Sequence, residues 1–166
     1  MIRTILTFPD PVLKQKATPV TCITDETRQL ARDMAETMYD APGVGLAAPQ
    51  VGVLQRIIVI DVGASDEPSQ LITVINPVIV HGDGEAFEEE GCLSVPSFSA
   101  NVRRHARVVV KGLSLDGLER VWHAEGLLSI AFQHEIDHLD GTLFVDRLSP
   151  LKRELFLKKC KKRSTP

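Results

Sequence analysis

The chain has 166 residues, a length that suits one domain with a buried core and leaves little room for a second. Hydrophobic residues make up 43% and charged residues 25%, which is the balance of an ordinary globular protein and excludes a largely disordered chain. The net charge of −3 conceals an asymmetry, because residues 147–166 hold eight basic residues and one acid on an otherwise acidic chain. This basic end predicts either an anionic partner or merely a solvated helix face.

The N-terminal quarter of the chain predicts an irregular segment followed by one helix. Residues 1–24 contain three prolines and lack the long apolar run of a secretory signal. Residues 25–40 predict a helix, because apolar residues recur at every fourth position and a Pro-Gly pair follows. The apolar positions are Leu30, Met34 and Met38, and the capping candidates are Thr24 and Asp25.

A mainly β segment is predicted over residues 43–124, where short β-branched runs are bounded by turn residues. The predicted strands span residues 56–62, 71–75, 78–80, 108–110 and 119–123. No apolar run reaches 18 residues anywhere in the chain, so no membrane-spanning helix is expected.

Two further helices are predicted towards the C-terminus. Residues 125–140 are apolar on most of the helix circumference, which predicts a buried helix that ends at Gly141. The last helix begins after Ser149, a natural N-cap, and should bury three apolar residues while its basic residues stay in solvent. The three apolar residues are Leu151, Leu155 and Phe156. The expected fold is α+β, with short, mostly antiparallel strands around a buried metal-binding helix and a C-terminal helix, in one domain over residues 1–166.

The strongest chemical signal is the pentapeptide from His134 to His138, His-Glu-Ile-Asp-His, in the second of these helices. Helical residues four apart differ by about 40° around the axis, so His134 and His138 can hold one metal ion from one face. Glu135 lies about 100° from His134, close enough to act on a metal-activated water without ligating the metal. The alternative is a coincidental pair of surface histidines. The apolar surroundings oppose it, since burying these groups without partners costs several kcal/mol.

A catalytic metal site of this type needs a third protein ligand, and the best candidate is Cys92 in the turn-prone stretch of residues 90–96. Two alternatives remain, a buried apolar cysteine and a nucleophile that would need one of the two histidines as its base. Downstream, Phe144 stands where some zinc proteases place a histidine. The other cysteines, Cys22 and Cys160, make the count odd, which predicts free thiols and a reducing compartment.

A third segment, Gly-Val-Gly-Leu-Ala-Ala-Pro-Gln at residues 43–50, combines small residues with an amide side chain. Glycine permits close backbone approach, and the amide of Gln50 can donate a hydrogen bond to a developing oxyanion. No Gly-Lys-Ser/Thr follows, so the segment is not a phosphate-binding loop.

Together these three segments resemble the signature of the peptide deformylases, which reads GxGLAAxQ, EGCLSxP and QHExDHLxG. The chain carries GVGLAAPQ at 43–50, EGCLSVP at 90–96 and QHEIDHLDG at 133–141, in that order. The resemblance extends over nearly the whole chain. It implies a hydrolase that removes the N-formyl group from the initiator methionine of nascent bacterial polypeptides. The alternatives are another small metal-dependent peptidase or amidase, and a non-catalytic ribosome-associated module whose metal is structural.

The resemblance also implies individual roles. The residues implied for metal binding are Cys92, His134 and His138. Those implied for catalysis are Glu135 as general base and acid, and the Gln50 side chain and the Leu93 N–H as oxyanion donors. Those implied for substrate binding are Gly45 for the peptide backbone and, for the methionine side chain, Val44, Leu127, Ile130 and Ala131.

The implied cofactor is one divalent ion, Fe²⁺ in the cell, with Zn²⁺, Ni²⁺ or Co²⁺ as substitutes. The implied partners are the nascent N-formylmethionyl peptide and, through the basic residues 147–166, the ribosome, which places the protein in the cytoplasm. Two departures from the family pattern leave the preference beyond methionine open. No arginine follows the cysteine motif until Arg103, and Glu88 stands where some members place an apolar pocket residue. Glu90 is a candidate to pair with Arg104 beside the metal site.

Overall fold

The computed structural model describes residues 1–64 and 66–164, and within them the chain forms three α-helices and seven β-strands. The helices are α1 (Asp25–Asp40), α2 (Gly126–Leu139) and α3 (Pro150–Ser164). The strands are β1 (Gly45–Ala47), β2 (Ile57–Ile60), β3 (Ile72–Asp83), β4 (Ala86–Cys92), β5 (Val95–Arg104), β6 (Arg107–Leu113) and β7 (Glu119–Glu125). This α+β arrangement confirms the predicted fold class, and α1 and α2 match the predicted helices within a residue or two. No helix of the described residues is long and apolar enough to cross a membrane.

Five strands form an antiparallel sheet in the order β1-β2-β3-β6-β7, with β1 at one edge, and β4 and β5 form a separate hairpin. Strand β2 shows how the helices cover the large sheet, since all four of its residues are buried. Side chains alternate between the faces of a strand, so Ile57 and Val59 meet the apolar residues of α1. Ile58 and Ile60 pack with those of α2 on the opposite face. Helix α2 is therefore held against the sheet by its apolar side.

Helix α1 begins where the capping residue predicted it. The Thr27 N–H donates to the Thr24 hydroxyl at 3.3 Å, and the Thr24 N–H donates back to the Thr27 hydroxyl at 3.1 Å. Leu30, Met34 and Met38 form the buried stripe of this helix. The helix propensity of these residues, the N-cap at Thr24 and the spacing of the apolar residues all favour a helix over the same range. Local sequence therefore predicts α1 well.

Helix α2 is buried on most of its circumference, as its composition predicted, with ten of its residues buried. It ends before Gly141, which has φ +74°. A Cβ at Gly141 would come within 2.5 Å of the Lys14 carbonyl oxygen, so only glycine fits at this turn.

The β region differs from the prediction in three respects, of which the first is that the short strand β1 was not among the predicted strands. The runs predicted at 71–75 and 78–80 are one strand, β3, whose register shifts between Ile75 and Val78. Strands β4 and β5 were not predicted, because β4 contains Glu88, Glu89 and Glu90, and consecutive acids have low strand propensity. Cross-strand pairing such as Glu90 with Ala100 stabilises them, and that pairing depends on residues distant in sequence.

The C-terminal helix docks through fewer residues than predicted. Phe156 is buried among aromatic side chains, but Leu151 and Leu155 are 68% and 56% exposed, so the prediction that they dock inward was wrong. Residue 155 is rotated about 100° from residue 156 around the helix axis, whereas Cys160 is rotated only about 40°. The contact stripe therefore runs through Phe156 and Cys160. The basic side chains from Lys152 to Lys162 are exposed, and that of Arg163 lies outside the described residues.

Candidate active site

The three predicted metal ligands come together where the β4–β5 turn meets α2. Helix α2 presents His134 and His138 on one face, and Cys92 ends β4. One ligand atom from each of the three lies within 4.8 Å of the other two, and Cys92 Sγ is 3.3 Å from His138 Nε2. Sulfur and nitrogen atoms that share a tetrahedral divalent ion lie about 3.4–3.6 Å apart, given the usual bond lengths. The donors are therefore spaced to fit such an ion.

Two buried polar atoms near this cluster have no hydrogen-bond partner within the described part of the chain, Glu135 Oε1 and His138 Nδ1. An unsatisfied buried polar atom costs about 1–3 kcal/mol, so Glu135 Oε1, which is on the side of the ligand cluster, marks a place where a ligand or water belongs. Glu135 Oε1 is 4.0 Å from His138 Nε2, on the metal-facing side of that imidazole. Burial lowers the pKa of His138 well below its ordinary value, which favours the neutral, metal-ligating form of the imidazole.

A series of buried charged side chains, linked by hydrogen bonds, contacts the Nδ1 side of the His134 ring. His134 Nδ1 is 2.9 Å from Glu90 Oε1, which directs Nε2 towards the cysteine. Arg104 donates two hydrogen bonds to the Glu90 carboxylate, at 2.8 and 2.9 Å, and a third to Asp137 at 2.7 Å. Burial opposes ionisation of Glu90, but the hydrogen bonds from Arg104 and His134 hold its pKa below the ordinary value. The expected Glu90–Arg104 pair is present in the structure.

Sequence reasoning missed the continuation of this series of charged side chains. Arg147 donates two hydrogen bonds to Asp137, at 2.6 and 2.7 Å, so Asp137 lies between two arginines. The available signal was the position of Asp137 on a helix predicted to be buried, where a carboxylate requires a cationic partner. Nothing in the local sequence identified which arginine would supply it.

Replacing Arg104 by leucine is expected to lower the free energy of unfolding by about 3–5 kcal/mol, because Glu90 would lose its buried counter-charge and Asp137 would lose one of its two arginines. The Arg104 side chain is only 2% exposed, so solvent cannot replace it. Urea unfolding followed by circular dichroism measures the change. The matched control is Arg103→Leu, since Arg103 is 73% exposed and pairs with Glu85 at the surface. Equal losses in the two variants would contradict the assigned role.

The predicted oxyanion donor Gln50 is buried and held in one orientation. Its Oε1 accepts a hydrogen bond from the Ala47 N–H at 2.9 Å, and its Nε2 donates to the Ser94 hydroxyl at 3.0 Å. Nε2 also lies 3.7 Å from Cys92 Sγ. The amide N–H groups therefore face the metal-ligand cluster without any rearrangement of the side chain, as a preorganised donor requires. Ser94, which the sequence reasoning did not identify, helps to fix this orientation.

Glu135 lies between the ligand cluster and the glycine-rich segment. Burial raises the pKa of this carboxyl to about 7, and a cation held beside it would lower that value. A Cβ at Gly45 would lie 2.6 Å from Glu135 Oε2, so the absence of a side chain at residue 45 is what allows this close approach. A carboxyl group with a near-neutral pKa can both accept and return a proton.

A cavity of about 1150 Å³ opens over this cluster, large enough for several residues of a peptide. All five predicted substrate-binding residues line it: Val44, Gly45, Leu127, Ile130 and Ala131. Leu93, Cys92, His134 and Glu135 also line this cavity. Val44 and Leu127 are about half exposed, whereas Ile130 and Ala131 are buried. The cavity is therefore open to solvent near the first two residues and lined by buried apolar side chains at the other two.

Known proteins match this chain over nearly its full length. Residues 2–154 match the family described as "Polypeptide deformylase". The peptide deformylase of Syntrophobacter fumaroxidans is 54% identical over 159 residues, which cover 96% of this chain and 94% of that protein. The peptide deformylase of Acidobacterium capsulatum is 51% identical over 162 residues, with 98% and 95% covered.

Solved structures agree with these sequence matches. The crystal structure of a peptide deformylase from Legionella pneumophila superposes with a TM-score of 0.89 at 46% identity, covering 100% of both chains. The peptide deformylase from Ehrlichia chaffeensis in complex with actinonin superposes with a TM-score of 0.92 at 38% identity, covering 99% of both chains.

Proposed function

The chain belongs to the peptide deformylase family, and we propose that Cys92, His134 and His138 hold the metal ion on which this enzyme depends. Its reaction is removal of the N-formyl group from the N-terminal formylmethionine of nascent polypeptides. We propose Fe²⁺ as the metal in the cell, on the basis of the family resemblance. Zn²⁺, Ni²⁺ and Co²⁺ are the proposed substitutes, since a thiolate and two imidazoles accept each of them.

The proposed mechanism assigns the proton transfers to Glu135. When bound, the metal ion supplies a Lewis acid that polarises the formyl carbonyl group and makes a water molecule more acidic. The Glu135 carboxylate accepts the proton of the attacking water and returns it to the leaving amine. The Gln50 side chain and the Leu93 N–H donate hydrogen bonds to the oxygen of the formyl group as negative charge develops on it.

We propose that the peptide lies extended along the free edge of β1, with Gly45 against its backbone. Support comes from the sheet order, in which β1 is the edge strand beside β2, and from the cavity, which Gly45 of β1 lines. An extended peptide can pair with such an edge through main-chain hydrogen bonds. The methionine side chain then occupies the apolar part of the cavity lined by Val44, Leu127, Ile130 and Ala131.

The observation that carries this assignment is the buried Glu135 carboxyl, whose Oε1 is unpartnered beside a three-donor metal site in an open cavity. Closed structural sites usually have four protein ligands, whereas three are grouped here among the described residues. The enzyme is therefore expected to release formate from formyl-Met-Ala-Ser and to leave the peptide bonds intact. Mass spectrometry with a formate assay measures both products. Cleavage of an internal peptide bond would instead support a peptidase.

We propose further that residues 1–166 act as one catalytic domain in the cytoplasm and that α3 contacts the ribosome. The exposed basic side chains of α3 support this, since such a surface binds phosphate groups. Deleting α3 would be a poor test, because the loss of Phe156 would expose the aromatic cluster that it forms with Phe8 and Phe98.

Replacing Lys152, Lys158 and Lys162 together by glutamine is expected to weaken co-sedimentation with ribosomes several-fold at low salt and to make it less dependent on salt. All three lysines are exposed, so the fold should tolerate the change. The control replaces Lys14, Lys16 and Lys111 by glutamine, since these lysines lie outside α3. Unchanged co-sedimentation of the α3 variant would contradict a role for this helix.

A further inference from the structure

Phe144 lies beside the metal-ligand cluster but has no part in the proposed chemistry. It stands where some zinc proteases place a histidine. In the structure it begins a short 3₁₀ helix (Phe144–Arg147) after α2, and it is 1% exposed. A phenyl ring cannot ligate a metal ion, so any contribution of Phe144 to this site must act through the residues that it contacts.

The Phe144 ring packs nearly parallel to the imidazole of His134. The two ring centroids are 6.1 Å apart and the ring planes differ by 24°. Offset, nearly parallel rings at such a distance are one of the preferred arrangements of two aromatic groups. Phe144 also stacks with Phe98 of β5, at 6.2 Å and 29°. The plane of the Phe144 ring is therefore fixed by the packing of the fold and does not depend on His134 alone.

Two contacts together restrict the His134 imidazole. Glu90 Oε1 is 2.9 Å from His134 Nδ1, and this hydrogen bond sets the direction of the ring. It leaves the ring able to rotate about the line that joins these two atoms. The flat face of Phe144 opposes that rotation, because a tilted imidazole would collide with the phenyl ring. His134 is thus held ready to bind a metal ion together with Cys92 and His138.

The alternative is that Phe144 only fills the core, and a second phenylalanine of the same cluster separates the two roles. Phe156 of α3 is 2% exposed, packs against Phe98 at 4.9 Å and belongs to the same hydrophobic cluster as Phe144. Its ring contacts within the described part of the chain are with Phe8 and Phe98, and neither is a metal-ligand candidate. Loss of either phenyl ring removes similar packing, but only Phe144 stacks on His134.

We propose that Phe144 is a positioning residue for the metal site, which holds the imidazole of His134 in the plane that metal binding requires. The inference rests on the proposed metal ligands. Replacing Phe144 by leucine keeps an apolar side chain but removes the flat surface. This change is expected to weaken Co²⁺ binding about tenfold, as loss of a contact that orients a ligand does at other sites. The visible absorption bands of bound Co²⁺ should also shift, since they depend on ligand geometry.

The test compares the wild type, Phe144→Leu and the matched control Phe156→Leu. Co²⁺ affinity is measured by competition with a chelator, and the visible spectrum is recorded at saturating Co²⁺. The control should keep the wild-type affinity and spectrum. Urea unfolding of the metal-free proteins should show similar destabilisation in the two leucine variants. Phe144→Met is a second variant should Phe144→Leu fail to fold, because methionine fills a similar volume and adapts to its surroundings.

An affinity for Co²⁺ within about twofold of the wild type in the Phe144 variants would overturn the inference, because orienting contacts contribute more than that. Equal weakening in Phe156→Leu would also overturn it, since general packing of the cluster would then explain the effect. A wild-type protein that binds no Co²⁺ through Cys92 would contradict the proposed metal site instead, so the two failures are distinguishable.

Discussion

Replacing Glu135 by glutamine is expected to lower kcat for formate release by about 10³-fold or more while the protein retains its metal ion. Glutamine has nearly the same shape as glutamate, but its amide cannot accept a proton from water at neutral pH. Glu135 lies outside the ligand cluster of Cys92, His134 and His138, so the affinity for the metal should change little. Formate release and metal content, measured on the same preparation, separate the two effects.

The matched control for this variant is Glu119→Gln, because Glu119 is an exposed acid on the edge strand β7 that pairs with Lys111 of the adjacent strand β6. It should keep wild-type kcat. A Glu135→Gln enzyme that retains more than about a tenth of the wild-type kcat would remove Glu135 from the role of general base. A variant that loses its metal ion would assign Glu135 to metal binding.

Replacing Cys92 by alanine is expected to weaken binding of the divalent ion at least 100-fold and to abolish formate release with it. The variant loses the thiolate and keeps two imidazoles, and two ligands cannot complete a site that requires three. Cys92 Sγ also accepts a hydrogen bond from the Ser94 N–H at 3.4 Å, an interaction that helps to position the sulfur. Metal content after purification under anaerobic conditions measures the loss directly.

A second readout for Cys92 does not depend on activity. Loading the wild-type protein with Co²⁺ should produce the near-ultraviolet absorption of a cobalt–thiolate bond, and this band should be absent from Cys92→Ala. The control is Cys22→Ala, since Cys22 is an exposed free thiol outside the cluster. A Cys92→Ala protein that keeps one ion per chain and the same absorption band would show that the sulfur does not bind the metal.

Local sequence was sufficient to predict helices α1 and α2 and the pair of candidate metal-binding histidines on α2. The buried stripe of α1, its Thr24 cap and the apolar circumference of α2 depend on residues within a turn or two of each other. The His134–His138 spacing likewise depends only on the pitch of one helix. Placing Cys92 with this pair required the spacing argument and the family resemblance, and the structure brings the three residues together.

The side-chain contacts that hold the site residues in place could be predicted from the sequence only in part. The sequence suggested the pairing of Glu90 with Arg104, but it did not reveal that Asp137 lies between Arg104 and Arg147. It also did not show that Ser94 orients Gln50. These contacts join residues from different elements, and their partners are chosen by which side chains the fold brings within hydrogen-bond distance.

The sequence by itself thus determined the fold class, the position of the central helices and the residue types that can bind a metal ion. Only the tertiary structure decided that β4 and β5 form a hairpin beside α2, that Leu151 and Leu155 stay exposed, and that Glu88 lines the cavity. The physical reason is that helix periodicity and capping act within one or two turns of the chain. Strand pairing, helix docking and buried ion pairs depend instead on contacts between residues far apart in sequence, whose free energies local patterns do not encode.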